Sequence, residues 1–130
     1  MTNAQSSANS SSRKRTYDLE ERTMRFSQDI ITFSKKISQD TISRPLINQL
    51  VRSGTSIGAN YTEAQEASSK KDFVNKIAIA TKETKETKYW LQLLAHTDSG
   101  CAPEARRLWK AGQELNLIFA AIIRSAKSNH

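Results

Sequence analysis

Cysteine, proline and glycine are all scarce in this sequence: one, two and four residues respectively in a chain of 130. The lone Cys101 permits no intramolecular disulfide and no multi-cysteine metal site. So few turn-forming residues exclude an all-β sandwich, which needs a turn every 8–12 residues or so. Aromatics are only 7% and hydrophobic residues 37% of the chain. No apolar run approaches the roughly 18 residues that a membrane helix requires. The N-terminus lacks the apolar stretch of a secretory signal, and an unpaired thiol suits a reducing compartment, so the cytoplasm is the expected location. What remains is a single domain built from a few long helices.

Charge is present in excess of one sign. Lys and Arg total 20 against 13 Asp and Glu, a net +7. Such a surplus suits an anionic partner, though it also serves solubility alone. Residues 1–16, MTNAQSSANSSSRKRT, are serine-rich and nearly devoid of aliphatic bulk. They cannot repay the entropy of ordering and are predicted to be a disordered tail ending in the basic cluster Arg13-Lys14-Arg15. The bundle is expected over 17–127.

Hydrophobic spacing places four helices. Leu19, Thr23, Phe26, Ile30, Phe33 and Ile37 recur at alternating intervals of four and three, one stripe of a helix from about Asp18 to Ser38. Pro45 suits the first turn of a second helix, capped by Ser43 or Arg44 and reaching about Ala67. Its stripe is Leu50, Gly54, Ile57, Tyr61 and Ala64. Gly54 and Gly58 each cost about 1 kcal/mol relative to Ala in mid-helix. That cost implies close approach of another chain segment along the small residues Ser53, Gly54, Ser56, Gly58 and Ala59. Ser69-Lys70-Lys71-Asp72 resembles a capping box. The third helix then runs to about His96 with Phe73, Ile77, Ala80, Thr84, Thr87, Leu91 and Leu94 inward, the threonines being a weak spot. Asp98-Ser99-Gly100 is a turn, and Pro103 opens a fourth helix with Leu108, Leu115, Phe119, Ile122 and Ala126 inward. Residues 115–123 are apolar almost all round, which leaves surface for a second subunit. Short loops make the product an all-α, antiparallel up-down-up-down four-helix bundle.

The second and third helices carry a signature. Arg52, Ser53, Ser56, Ile57, Ala59, Asn60, Glu63 and Ala64 spell R-S-x-x-S-I-x-A-N-x-x-E-A. Lys70-Lys71-Asp72-Phe73, Ile77-Ala78-Ile79-Ala80, Glu83-Thr84 and Tyr89-Trp90-Leu91-Gln92-Leu93-Leu94 follow. Together they resemble the bacterial four-helix-bundle family first noted as proteins encoded by intervening sequences of large-subunit rRNA genes, also labelled ribosomal-protein-like. The resemblance covers about residues 17–125. The accessory protein of diversity-generating retroelements is similar in fold. The resemblance implies a homopentamer with a central channel and no established enzyme activity. The retroelement relative binds a reverse transcriptase and nucleic acid through basic outer surfaces, and this chain is basic enough to permit the same.

No nucleophile elbow, phosphate loop or dinucleotide fingerprint occurs, and the histidines are His96 and the terminal His130. Glu63, Glu66, Glu83 and Glu86 resemble part of a di-iron carboxylate site, but neither histidine stands three residues after a glutamate. The expected protein is therefore a non-enzymatic oligomeric scaffold without metal or cofactor. A metal-dependent or other enzyme with a site in the bundle core is the alternative. Expected partners are further copies of the chain, RNA or DNA, or a protein such as a reverse transcriptase, and no membrane. The candidate contact residues are Lys71, Lys82, Lys85 and Lys88 on the third helix and Arg106, Arg107 and Lys110 on the fourth. Lys82–Glu86 and Asp72–Lys76 are spaced to pair along one helix. Tyr89, Trp90 and Trp109 are available to stack on bases, or to pack. Arg52, Ser53, Ser56, Asn60 and Glu63 are read as structural, with Arg52, Asn60 and Glu63 in one buried or interfacial hydrogen-bond network.

Overall fold

The computed structural model describes the backbone of residues 11–128 and side chains from Asp18 to Ser128. Four long helices run in chain order: α1 Ser11–Lys36, α2 Ser43–Gln65, α3 Lys70–Thr97 and α4 Ala102–Ser128. A 3-10 turn, Ser99–Cys101, joins α3 to α4. There are no strands among the described residues. Each helix packs on its sequence neighbours, most extensively α2 on α3 and α3 on α4, and α1 meets α4 along the thinnest seam. The architecture is an up-down-up-down bundle.

The first helix begins at Ser11, upstream of the expected start at Asp18. Arg13, Lys14 and Arg15 are good helix formers, and extending an existing helix adds one hydrogen bond per residue fixed. Residues 1–10 of the expected tail lie outside the described residues.

The periodic stripes form the core. Leu19, Phe26, Ile30 and Phe33 from α1, with Ile37 just past its end, meet Leu50, Ile57, Tyr61 and Ala64 from α2, Ile77, Ala80, Leu91 and Leu94 from α3, and Leu108, Leu115 and Phe119 from α4. Each large aliphatic or aromatic side chain buried this way contributes about 1.5–3 kcal/mol. Phe73 and Ile122, nearer helix ends, are only partly buried.

The small residues of α2 divide their work. A Cβ on Gly54 would lie 3.0 Å from two carbons of Ile30, and one on Gly58 would lie 3.3 Å from Thr23 Oγ1. Glycine thus lets α1 seat Ile30 and Thr23 directly on the α2 backbone, and Ser27 donates to the Gly54 carbonyl at 3.2 Å. Ser53 faces α3 instead, and Ala59 is exposed. The expected single seam of five small residues is therefore two contacts, because a helix turns 100° per residue.

The threonines in the α3 stripe are satisfied, not weak. Thr84 donates to the Ala80 carbonyl at 2.8 Å. Thr87 Oγ1 lies 2.8 Å from the Glu83 carbonyl and 2.9 Å from the Ser53 hydroxyl. Each hydroxyl has one proton, so one donates to a carbonyl while the other bridges α2 and α3.

Candidate nucleic-acid interface

The signature residues of α2 do not form one network. Arg52 reaches across to α3, with Nη2 3.2 Å from Glu83 Oε1 and in close contact with Glu86 Oε1. Its Nε donates to Gln49 at 3.3 Å. The two carboxylates hold the guanidinium still more firmly protonated, the Glu83 hydrogen bond being the larger influence. Glu86 also accepts from the Trp90 indole at 3.4 Å. Glu63 pairs not with Arg52 but with Lys76, at 2.9 Å. Asn60 donates to the Ser56 carbonyl one turn back at 2.9 Å, and Ser56 donates to the Arg52 carbonyl. The expected Arg52–Asn60–Glu63 network is thus replaced by three cross-helix ion pairs and an intrahelical ladder.

These pairs also displace the expected Lys82–Glu86 pair, and leave Asp72 only a weaker electrostatic pull on Lys76. Glu86 turns to Arg52, whose planar fork spans two carboxylates, and leaves Lys82 unpaired. Lys76 turns to Glu63 across the seam, while Asp72 sits in the first turn of α3, where its backbone N–H is capped by the Ser69 hydroxyl at 3.0 Å. Glu83 and Glu86 are thereby committed to a guanidinium. Among the described residues no group of three or more His, Cys, Asp or Glu is placed to hold a metal ion.

The other side of α3 is different. Lys88 lies across α4: its stem passes over Gly112, where a Cβ would come within 3.3 Å of Lys88 Cγ. Its ammonium donates to Gln113 Oε1 and sits 4.7 Å from the centroid of the Trp109 ring. Partial burial, reinforced by the neighbouring Lys85, pushes the Lys88 pKa down. No carboxylate among the described residues pairs with that charge. Lys82, Lys85, Arg106 and Lys110 are exposed, and none of them makes an ion pair among the described residues. Helical spacing sets Arg106 beside Lys110 and Lys82 beside Lys85. The outer surface of α3 and α4 therefore carries five cations without a paired acid among the described residues.

Two of the expected contact residues stand apart. Arg107 is held by Glu104, Nη2 to Oε2 at 2.6 Å, which draws the Glu104 carboxyl below its ordinary range. Lys71 is exposed in the first turn of α3, about 25 Å along the helix from Lys88 at 1.5 Å per residue. Tyr89 and Trp90 pack edge to face at a centroid distance of 4.9 Å beside the Arg52 cluster, away from Trp109.

Between the end of α3 and the start of α4 this face opens into a notch of about 410 Å³. Leu91 and Ala105, both buried, lie at its base, and Ala95 and Ala102 leave it open. Gln92, Arg106 and Trp109 complete its lining. The Trp109 indole N–H is buried with no hydrogen-bond partner, as is Asn116 Oδ1 two turns on. The notch, Gln92 and Gln113 were not foreseen from the sequence. Gly112, a glycine inside a helix three residues after a tryptophan, was the signal available.

Apolar residues also remain outward. In the apolar run of α4, Leu115 and Phe119 are buried but Leu117 is 61% exposed, as is Met24 on α1, with Ile31 exposed two turns further along. No helix among the described residues is long and apolar enough to cross a membrane.

Comparison with known proteins accords with this architecture. No match was found among curated proteins. A crystal structure at 1.70 Å resolution is similar: a protein with unknown function from the S23 ribosomal protein family from Bacteroides thetaiotaomicron VPI-5482. It is 34% identical, with a TM-score of 0.72, over 80% of this chain and 96% of that one. The 23S rRNA-intervening sequence protein family matches residues 15–121. With that match spanning most of the bundle, the chain belongs to the 23S rRNA-intervening sequence protein family.

Proposed function

We propose that this protein is a non-enzymatic, oligomeric scaffold whose α3/α4 face binds the phosphate backbone of RNA or DNA. The observation that carries the reading is charge segregation on α3. Its glutamates are drawn toward α2 by Arg52, while Lys82, Lys85 and Lys88, with Arg106 and Lys110 of α4, are left without paired carboxylates. Unpaired cations on one face displace counterions from a polyanion, and such binding is strong, sequence-blind and salt-sensitive. Oligomerisation multiplies the effect, because each added copy raises the effective concentration of the next face. The outward apolar residues Leu117, Met24 and Ile31 support assembly of copies, for which a five-membered ring is the proposed form.

Fluorescence anisotropy of labelled RNA and DNA tests the reading. Affinity is expected to fall at least tenfold between about 50 and 200 mM salt. Light scattering is expected to give a multiple of the chain mass, and Leu117→Glu to reduce it. Absence of binding at the lower salt would refute the nucleic-acid role, and a monomeric mass would refute the scaffold.

A further inference from the structure

We infer that the notch between the end of α3 and the start of α4 receives an unpaired nucleobase, so that the interface selects single strands over duplex. This deepens the nucleic-acid reading above and rests on it. The notch has an apolar base in Leu91 and Ala105 and an aromatic lining residue in Trp109. Lys88 steadies that ring by its cation–π contact, so the indole is a fixed surface. At the rim, Gln92 is exposed and its side chain makes no hydrogen bond among the described residues, so its amide offers both a donor and an acceptor to a base edge. Arg106 lines the same notch with its guanidinium unpaired among the described residues, placed for the adjoining phosphate.

Charge complementarity chooses this occupant over an apolar side chain from another protein. An aliphatic residue would fill the base of the notch but bring no anion to the charges of Arg106, Lys88 and Lys110. A base carries its own phosphate, so one ligand satisfies both features. Duplex satisfies only the cations, because its bases are stacked away from a notch of this shape.

The test uses the full chain and three labelled probes: a mixed-sequence single strand, the duplex of that sequence, and a strand of equal length bearing abasic sites. The intact single strand is expected to bind about five- to tenfold more tightly than either other probe, the lower part of the range for one stacked base. Ala95→Leu, which fills the notch, should abolish that preference while leaving salt-dependent binding to all three. Gln92→Ala, at an exposed position, should reduce the preference without touching the fold. In Trp90→Phe, where Trp109 is the remaining tryptophan, the intact strand should quench emission and the abasic strand should not. Equal, salt-dependent affinity for all three probes would overturn the base site and leave the interface standing. No binding of any probe would overturn both. If Ala95→Leu changes the assembly mass instead of strand preference, the notch belongs to a second copy and the inference falls.

Discussion

Helix α3 shows opposite charge economies to its two neighbours. Toward α2 it offers Glu83 and Glu86, both engaged by Arg52, and Lys76, engaged by Glu63. Toward α4 it offers Lys88, whose partners are an amide and an aromatic ring, with Lys85 beside it. Charges on the first side are consumed in holding two helices in register. Those on the second side have no paired acid among the described residues, and the proposed function assigns them to nucleic acid. Net charge alone does not distinguish these uses; the location of the carboxylates does.

The largest way to break this comparison is to reverse the open side. Lys85→Glu combined with Lys110→Glu should lower nucleic-acid affinity at low salt by at least tenfold, about 1.4 kcal/mol or more. Anisotropy measures the loss. Thermal melting should barely move, because exposed, unpaired surface charges contribute little to stability. Comparable losses in both would mean that the open cations are structural after all.

The next effect belongs to the closed side. Thr87→Val removes the buried hydroxyl that meets Ser53 but keeps the volume, and should cost about 0.5–1.5 kcal/mol. Chemical denaturation of Thr87→Val, Ser53→Ala and the double variant should show non-additive losses, since the two side chains share one interaction. Nucleic-acid affinity should be unchanged in all three. Arg52→Ala should cost less, about 0.2–1 kcal/mol, because the guanidinium is half exposed and solvent screens its pairs. A fall in nucleic-acid affinity with Arg52→Ala matching that of the lysine reversal would erase the distinction between the two sides.

Most of the fold was legible because burial follows a single periodicity. All six residues of the α1 stripe, Thr23 included, are buried, and so are all five of α2. Polar partnerships were less legible. The sequence shows which charges are three or four residues apart, and those are the pairs it suggests. The actual partner of Glu86 is 34 residues away, and that of Glu83 is 31 away, so only the packing of α2 on α3 brings them together. In the sequence Lys88 is one of a set of equivalent lysines. Its difference arises from Gly112 and Trp109 on another helix, which no spacing on α3 encodes. The cations of the proposed interface were named from composition, but Arg107 left the set once Glu104 appeared at its side. What singles out the remainder is an absence of acids in three dimensions, which a linear pattern does not display.

The smallest predicted effect concerns a charge spent at a helix end. The expected caps of α2 were Ser43 or Arg44, yet the work is done by Asp40. Its Oδ1 accepts from the Ser43 N–H at 2.7 Å and the Ile42 N–H at 2.9 Å, while the Ser43 hydroxyl accepts from the Asp40 N–H at 3.0 Å. The exchange is a capping box with serine in place of the usual glutamate. The Ser43 N–H bond, above all, holds the Asp40 carboxyl below its ordinary pKa. A carboxylate favoured in the folded state stabilises it above the unfolded pKa, and that contribution is lost as pH falls through the folded value. Asp40→Ala should therefore lower the melting temperature at neutral pH, and the gap to the natural chain should close on acidification below the ordinary carboxylate range. Asp40→Asn keeps the acceptor without the charge, so it should melt close to the natural chain at neutral pH and lack this site's acid sensitivity. Nucleic-acid affinity should be the same in both variants, since Asp40 is a charge already committed within the bundle. A gap for Asp40→Ala that stays constant from neutral to acid pH would show that the carboxylate's ionisation plays no part in the cap.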